Sequence, residues 1–113
     1  MADPAGPATV VAGLLERMPI PEDGTLSRVV FSDGDLRVVA FAFDRGQQLT
    51  EHTAAVPAVL QVLSGRMRAV LDGVESDLAP GDWAHLPAHL SHSLQALEPA
   101  VLLLTMVGGG SAS

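Results

Sequence analysis

The sequence predicts an all-β domain, built either as a closed barrel or as two packed sheets. Turn signals recur about every 8–12 residues, a spacing typical of sandwiches and barrels. The runs between these turns are short and apolar, and they suggest eight or nine strands. One stretch alone has an apolar spacing that suits a helix. Because closure protects the edges of strands, a closed or double-sheet structure is the expected architecture.

The two ends of the chain differ in composition from the middle. Residues 1–8 are rich in Ala, Gly and Pro, and we expect a flexible arm there. Residues 9–18 have roughly helical apolar spacing and stop at Pro19, so they form either a short helix or a first strand. Residues 108–113 are predicted to be a flexible tail. Residues 9–107 are left as one domain, which has room for a single core.

Turn dipeptides containing glycine separate the predicted strands. They are Asp33-Gly34, Ser64-Gly65, Asp72-Gly73 and Pro80-Gly81. The predicted strands cover residues 26–31, 36–43, 59–63, 66–71, 74–78, 82–86, 92–96 and 101–107. The second of these is almost entirely apolar, so both of its faces should be covered. Asp72-Gly73 predicts a tight hairpin, because a type I′ turn needs positive φ at both central residues.

Composition and charge exclude several classes of function. The chain has 6 basic and 13 acidic residues, and its only close basic pair is Arg66 and Arg68, so nucleic-acid binding is not expected. With no cysteine it can form neither a disulfide nor a thiolate metal site. No apolar run approaches the ~20 residues of a membrane span, and the first residues lack the regions of a signal peptide. We therefore expect a cytoplasmic protein that binds no membrane.

All four histidines lie between positions 52 and 92, in two clusters that sit between predicted strands. The first cluster contains His52, and the second contains His85, His89 and His92. Histidine is the commonest metal ligand and titrates near neutral pH. The clustering therefore predicts a functional site in the middle of the chain.

The two clusters resemble the two signature motifs of the cupin superfamily. The first motif is Gly, five residues, His-x-His, three or four residues, Glu, six residues, Gly. Its positions in this sequence are Gly46, His52, Ala54, Ala58 and Gly65. The second motif is Gly, five residues, Pro-x-Gly, two residues, His, three residues, Asn. Its positions are Gly81, Pro87, His89, His92 and Ala96. The resemblance implies a double-stranded β-helix, or jelly-roll barrel.

The resemblance also implies a metal site that this chain has lost in part. Cupins typically hold Fe, Mn, Ni, Zn or Cu with two His and one Glu from the first motif and one His from the second. His52 and His92 keep their ligand identity, whereas Ala54 and Ala58 replace the second His and the Glu. Two imidazoles are fewer than the three protein ligands of a catalytic zinc site, and they lack the carboxylate of the two-histidine iron site. We expect a weakened or absent divalent-metal site.

Other residues could complete or surround this site. His85 precedes the Pro87 turn and is a third candidate metal ligand if it points inward, or else a packed strand residue; strand alternation does not decide, because register is lost across the turn. His89 lies in the turn and should be exposed to solvent. The lost ligands should leave space for a pocket. Its predicted lining is Ala54, Ala58, Leu60 and Gln61.

Three functional hypotheses follow. The first is a cupin that binds a small molecule at a depleted two-histidine site, with at most a weak divalent metal. The second is a metal-dependent enzyme of dioxygenase or isomerase type that uses His52, His92 and His85. The third is a metal-free structural barrel that dimerises.

We expect a homodimer, because residues 36–43 and 101–107 carry more apolar surface than one small barrel needs. Trp83 is then either a core residue or part of the subunit interface.

Overall fold

The structure is a computed structural model that describes residues 6–108, apart from the side chain of His52. Within this range it contains nine strands and no helix, hence no helix that could cross a membrane. The strands are β1 (Thr25–Ser32), β2 (Leu36–Phe43), β3 (Gln48–His52), β4 (Ala58–Ser64), β5 (Met67–Leu71), β6 (Val74–Leu78), β7 (Trp83–Leu86), β8 (His92–Ala96) and β9 (Ala100–Val107).

The strands form two antiparallel sheets that enclose the main core. One sheet has the order β1-β2-β9-β4-β7, and the other has the order β3-β8-β5-β6. Phe43, Leu60 and Leu102 of the first sheet share a buried cluster with Met67 and Leu94 of the second. The predicted double-sheet, all-β architecture is confirmed.

The almost entirely apolar sequence of β2 is explained by the burial of both its faces. Phe41 and Phe43 face the main core, where their rings stack with centroids 5.8 Å apart. Successive residues of a strand point to opposite faces, so Ala40 and Ala42 face outward. Both alanines are nevertheless fully buried in a second cluster. Both faces of this strand are covered, as its composition predicted.

The segment before β1 provides that outer cover, and here the sequence prediction was wrong. Residues 9–18 form neither a helix nor a strand. They contain one turn, in which the Arg17 N–H donates to the Gly13 carbonyl at 3.2 Å. Gly13 has a φ of 68°, which a right-handed helix does not allow. Met18 is 1% exposed and packs in a cluster with Ala40 and Val101.

Of the predicted arm, residues 6–8 are described, and they are exposed and outside any strand. The remainder of the arm, residues 1–5, lies outside the described residues. Of the predicted tail, Gly108 alone is described; its N–H donates to the Asp35 carbonyl at 2.9 Å. Residues 109–113 also lie outside the described range.

Two turns depend on backbone conformations that favour glycine. Asp72 and Gly73 have φ values of 51° and 81°, as the predicted type I′ hairpin between β5 and β6 requires. Gly65, between β4 and β5, has a φ of 76°. A Cβ at this position would collide with the Pro99 carbonyl oxygen and lie 2.7 Å from the Cα of Ala100. Gly65 therefore allows the β4–β5 turn to approach the start of β9.

Asp44 fixes the open end of the β1–β2 pair, which forms one wall of the site described below. Its carboxylate accepts hydrogen bonds from the N–H groups of Asp23 and Arg45, each at 2.8 Å. These two bonds hold the pKa of the Asp44 carboxyl below its ordinary value. The chain before β1 is thereby tied to the chain after β2.

Candidate functional site

A cavity of about 380 Å³ lies between the two sheets, where β2 and β8 begin and β9 ends. This volume is within the range of small-molecule sites. Its apolar lining includes Val39, Phe41, Ala54, Ala58, Leu104 and Met106. Its polar lining includes Ser27, Arg37, Thr53 and His92. The cavity is thus an apolar chamber with a few polar groups.

Strand register explains why these residues meet. Met106 of β9 is the partner of Arg37 on one side and of Ala58 on the other. Leu104 is likewise the partner of Val39 in β2. Directly opposed residues in antiparallel strands share a face of the sheet. A row of side chains from β2, β9 and β4 therefore forms the cavity wall on the five-stranded sheet.

His92 stands on the facing sheet and is buried, with 4% of its surface exposed. It begins β8, in which Leu94 and Ala96 on the same face enter the main core. Its Nδ1 lies 3.0 Å from the Leu90 carbonyl oxygen. Because a carbonyl can only accept, Nδ1 carries the proton of this bond, and in the neutral ring the lone pair is on Nε2. The bond orients the ring as the second partners of metal-bound histidines do.

The backbone of His52 lies directly opposite that of His92. The two residues are partners in the β3–β8 pair, after a register shift between Leu49 and His52. Partners in an antiparallel pair have Cα atoms about 4.5–5.5 Å apart. The structure thus brings together the backbone positions of the two histidines that keep ligand identity in the motifs.

The two alanines that replace motif ligands both line the cavity. Ala54 follows β3, and Ala58 begins β4, so each stands beside the chamber with only a methyl group. The other two predicted pocket residues are not among those that line the cavity. Leu60 is fully buried in the main core cluster. Gln61 follows it in β4 and therefore faces the outer side of the sheet.

His85 is not brought to His92. It lies on the edge strand β7, opposite Val59, and it is exposed. Its neighbours Ala84 and Leu86 both pack into the main core. Alternation along the strand therefore directs the His85 side chain to the outer face of the five-stranded sheet.

His89 is exposed, as its turn position predicted, but its backbone borders the site. Its N–H donates to the Ala54 carbonyl at 2.7 Å. Its φ is 68°, a left-handed value at a position where the resembled motif has glycine. The main chain of His89 therefore ties the Pro87 turn to the segment that carries Ala54.

The donor side chains that the structure describes at the site do not fit a catalytic metal centre. Among the side chains that the structure describes, no group of three or more His, Cys, Asp or Glu is placed to hold a metal ion. The described residues that line the cavity include no carboxylate. Catalytic zinc sites have three protein ligands, and the two-histidine iron site needs a carboxylate. We therefore assign no reaction step to a metal.

Sequence reasoning missed much of the cavity wall, including Arg37, Phe41 and Met106. These residues lie on β2 and β9, outside the stretch of residues 46–96 that resembles the two motifs. One signal could have found Arg37. In a strand that is otherwise apolar, Arg37 alternates with Val39 and Phe41 on one face. This alternation predicts that its charged side chain points inward.

The fold and sequence are similar to those of several solved structures. A conserved protein of unknown function from Streptococcus pyogenes has a TM-score of 0.81 and 29% identity over 90% of each chain. A cupin superfamily protein from Desulfitobacterium hafniense has a TM-score of 0.81 and 20% identity over 90% of this chain and 94% of its own. KdgF from Halomonas sp. has a TM-score of 0.72 and 31% identity over 76% of this chain and 82% of its own.

No protein-family model matches the sequence, and no functionally curated protein matches it either. The structural relatives nevertheless cover most of the chain, and several are cupins or RmlC-like cupins. The chain has the fold of the cupin superfamily. The double-stranded β-helix implied by the motif resemblance is confirmed.

Proposed function

We propose that this protein is a cupin that binds a small molecule in the cavity between its two sheets. The observation that carries the proposal is the replacement of two bulky motif ligands by Ala54 and Ala58, both of which line the cavity. The space is bordered by the buried, oriented imidazole of His92. An apolar chamber with a few fixed polar groups is the usual form of a ligand site.

His52 and His92 are proposed to form a depleted two-histidine site at one edge of this chamber. Their backbone positions are opposed across β3 and β8. A divalent ion such as Fe, Mn, Ni, Zn or Cu held by these two residues alone would bind weakly, because three protein ligands are usual even in sites that keep an open position. The affinity for a ligand therefore depends mainly on contacts with the chamber and with the polar groups around it.

A metal-dependent enzyme of dioxygenase or isomerase type is the second candidate. It requires a third protein donor beside His52 and His92, and the sequence offered His85 for that role. The outward, exposed position of His85 favours the binding function over this candidate. The third candidate, a purely structural barrel, gives the cavity no role.

A thermal-shift screen of small molecules tests the binding function. A ligand that binds only the native state stabilises it by about 2.7 kcal/mol at 100 times its Kd. We expect hits to raise the melting temperature of the wild type and of His85→Ala, the matched control on the outer face. Every hit should be lost in His92→Ala. Retention of the hits in His92→Ala, or a screen without hits, contradicts the proposal.

Elemental analysis of the same three proteins, after incubation with each metal and dialysis, separates the binding function from the enzyme. The binding function predicts substoichiometric metal. One tightly held metal per chain that is lost in both His85→Ala and His92→Ala would instead establish the three-histidine site.

A homodimer is also proposed, through the outer face of the five-stranded sheet. Met18 already covers part of the apolar surface that suggested a dimer, so the remaining candidate is the side of this face near β7. Trp83 is 61% exposed there and is therefore not a core residue. Light scattering at micromolar concentration should report a dimer for the wild type and a monomer for Trp83→Ala. A monomeric wild type refutes the proposal.

A further inference from the structure

We infer that the ligand of the cavity is an organic monoanion whose carboxylate is bound by Arg37. This inference rests on the proposed binding function and names the chemical class of the ligand. Arg37 is half-buried at the start of β2 and lines the cavity. Its partner across the sheet is Met106, another lining residue, so its side chain is on the inner face. His92 lines the same cavity from the facing sheet.

The charge of the chain makes this position informative. All six basic residues are arginines, and 13 acidic residues give a net charge of −7. A chain of this charge repels anions in general. A cationic side chain that points into an apolar cavity is therefore a local feature, opposite in sign to the protein as a whole.

The Arg37 guanidinium also has no internal partner in the described part of the chain. Arg68 pairs with Asp77 at 3.4 Å, whereas for Arg37 residues 6–108 show neither a hydrogen bond nor an ion pair. Arg37 is half-buried, and a charged group that has lost part of its contact with water gains from a charged partner. A ligand anion in the cavity supplies that partner.

The rest of the cavity selects the form of the anion. One guanidinium balances one negative charge, and a second charge would be desolvated without a partner. Arg28 also borders the cavity, but its strand partner Ala40 faces the outer side, so alternation directs the Arg28 side chain away. A planar carboxylate matches the two parallel donors of a guanidinium. Phe41 and Leu104 offer apolar contacts to the body of the molecule. A monocarboxylate with an apolar body fits this lining.

Matched pairs of acids and neutral amides test the inference. Titration calorimetry would compare benzoate with benzamide and hexanoate with hexanamide on the wild type, Arg37→Gln, Arg37→Lys and Arg66→Gln. Arg66 is exposed and does not line the cavity, so its variant is a control for loss of one positive charge. We expect the acids to bind the wild type and Arg66→Gln at least about tenfold more tightly than the amides, as hydrogen bonds to charged groups allow. Arg37→Gln should lose this preference, and Arg37→Lys should keep part of it.

Each outcome decides the question. Equal binding of acid and amide to the wild type overturns the inference, as does an acid preference that survives in Arg37→Gln. The wild-type comparison needs no variant, so it holds even if Arg37→Gln folds poorly. Absence of binding by every acid at millimolar concentration also overturns it. The proposed binding function fails separately, when the thermal-shift screen gives no hit that depends on His92.

Discussion

Replacing Gly65 with alanine is expected to destabilise the domain by about 2–5 kcal/mol. A left-handed backbone costs a residue with a Cβ about 1–2 kcal/mol. Forcing extra volume into a packed region costs about 1–3 kcal/mol more. Both penalties apply, because Gly65 has a φ of 76° and an added Cβ would lie 2.7 Å from the Cα of Ala100. Urea denaturation of the variant and the wild type measures the difference.

Gly73→Ala is the matched control, because it separates the two penalties. Gly73 has a φ of 81°, but a Cβ there would have no atom within 4 Å. We expect this variant to lose only the conformational part, about 1–2 kcal/mol. Equal losses in the two variants would show that the close approach of the β4–β5 turn to β9 contributes nothing to stability.

Replacing Met18 with alanine is expected to cost about 2–5 kcal/mol, the usual range for truncating a buried methionine. Met18 lies outside every strand, yet it is 1% exposed and covers the outer face of β2 and β9. Its removal leaves a cavity above Ala40 and Ala42. The same urea titration should show a lower midpoint.

Leu15→Ala is the control for Met18, since it is a residue of the same segment that is 50% exposed. Its loss should stay within about 0.5 kcal/mol, as for most surface substitutions. A Met18→Ala variant that is as stable as Leu15→Ala would mean that the segment before β1 does not belong to the folded core.

The parts of the fold that the sequence predicted are those coded locally. The hairpin at Asp72 and Gly73 follows from two residues that tolerate positive φ, and β2 follows from an unbroken apolar run. The strand β3 was missed for the opposite reason. Leu49 is its one apolar residue, and the strand exists because it pairs with β8. Tertiary pairing overrides weak local preference in such strands.

The prediction for the segment before β1 was wrong for a related reason. Its apolar spacing suits a helix, but the left-handed conformation of Gly13 ends any helix there. Met18 is then fixed by a sheet surface whose existence depends on β2 and β9, strands distant in sequence. No local pattern contains that information.

The candidate site divides in the same way. Motif spacing identified His52 and His92 as retained ligand positions and Ala54 and Ala58 as pocket residues. In the structure the backbones of the two histidines are opposed, and the two alanines line the cavity. Motif spacing could not predict the direction of the His85 side chain, because the register across the Pro87 turn depends on pairing with β4. Motif spacing also could not predict the cavity wall formed by β2 and β9, because these residues are distant in sequence and meet only through the order of strands in the sheet.

The hydrogen bond from the His89 N–H to the Ala54 carbonyl has a consequence for how this site can change. The rim of the chamber is joined here through main-chain atoms, so this bond uses no atom of the side chains at positions 54 and 58. The side chains at positions 54 and 58 can therefore be exchanged without remaking the rim. The backbone determines the shape of the chamber, and a few side chains determine the chemistry of its lining. Such a division lets the side chains at these positions change while the scaffold keeps its chamber.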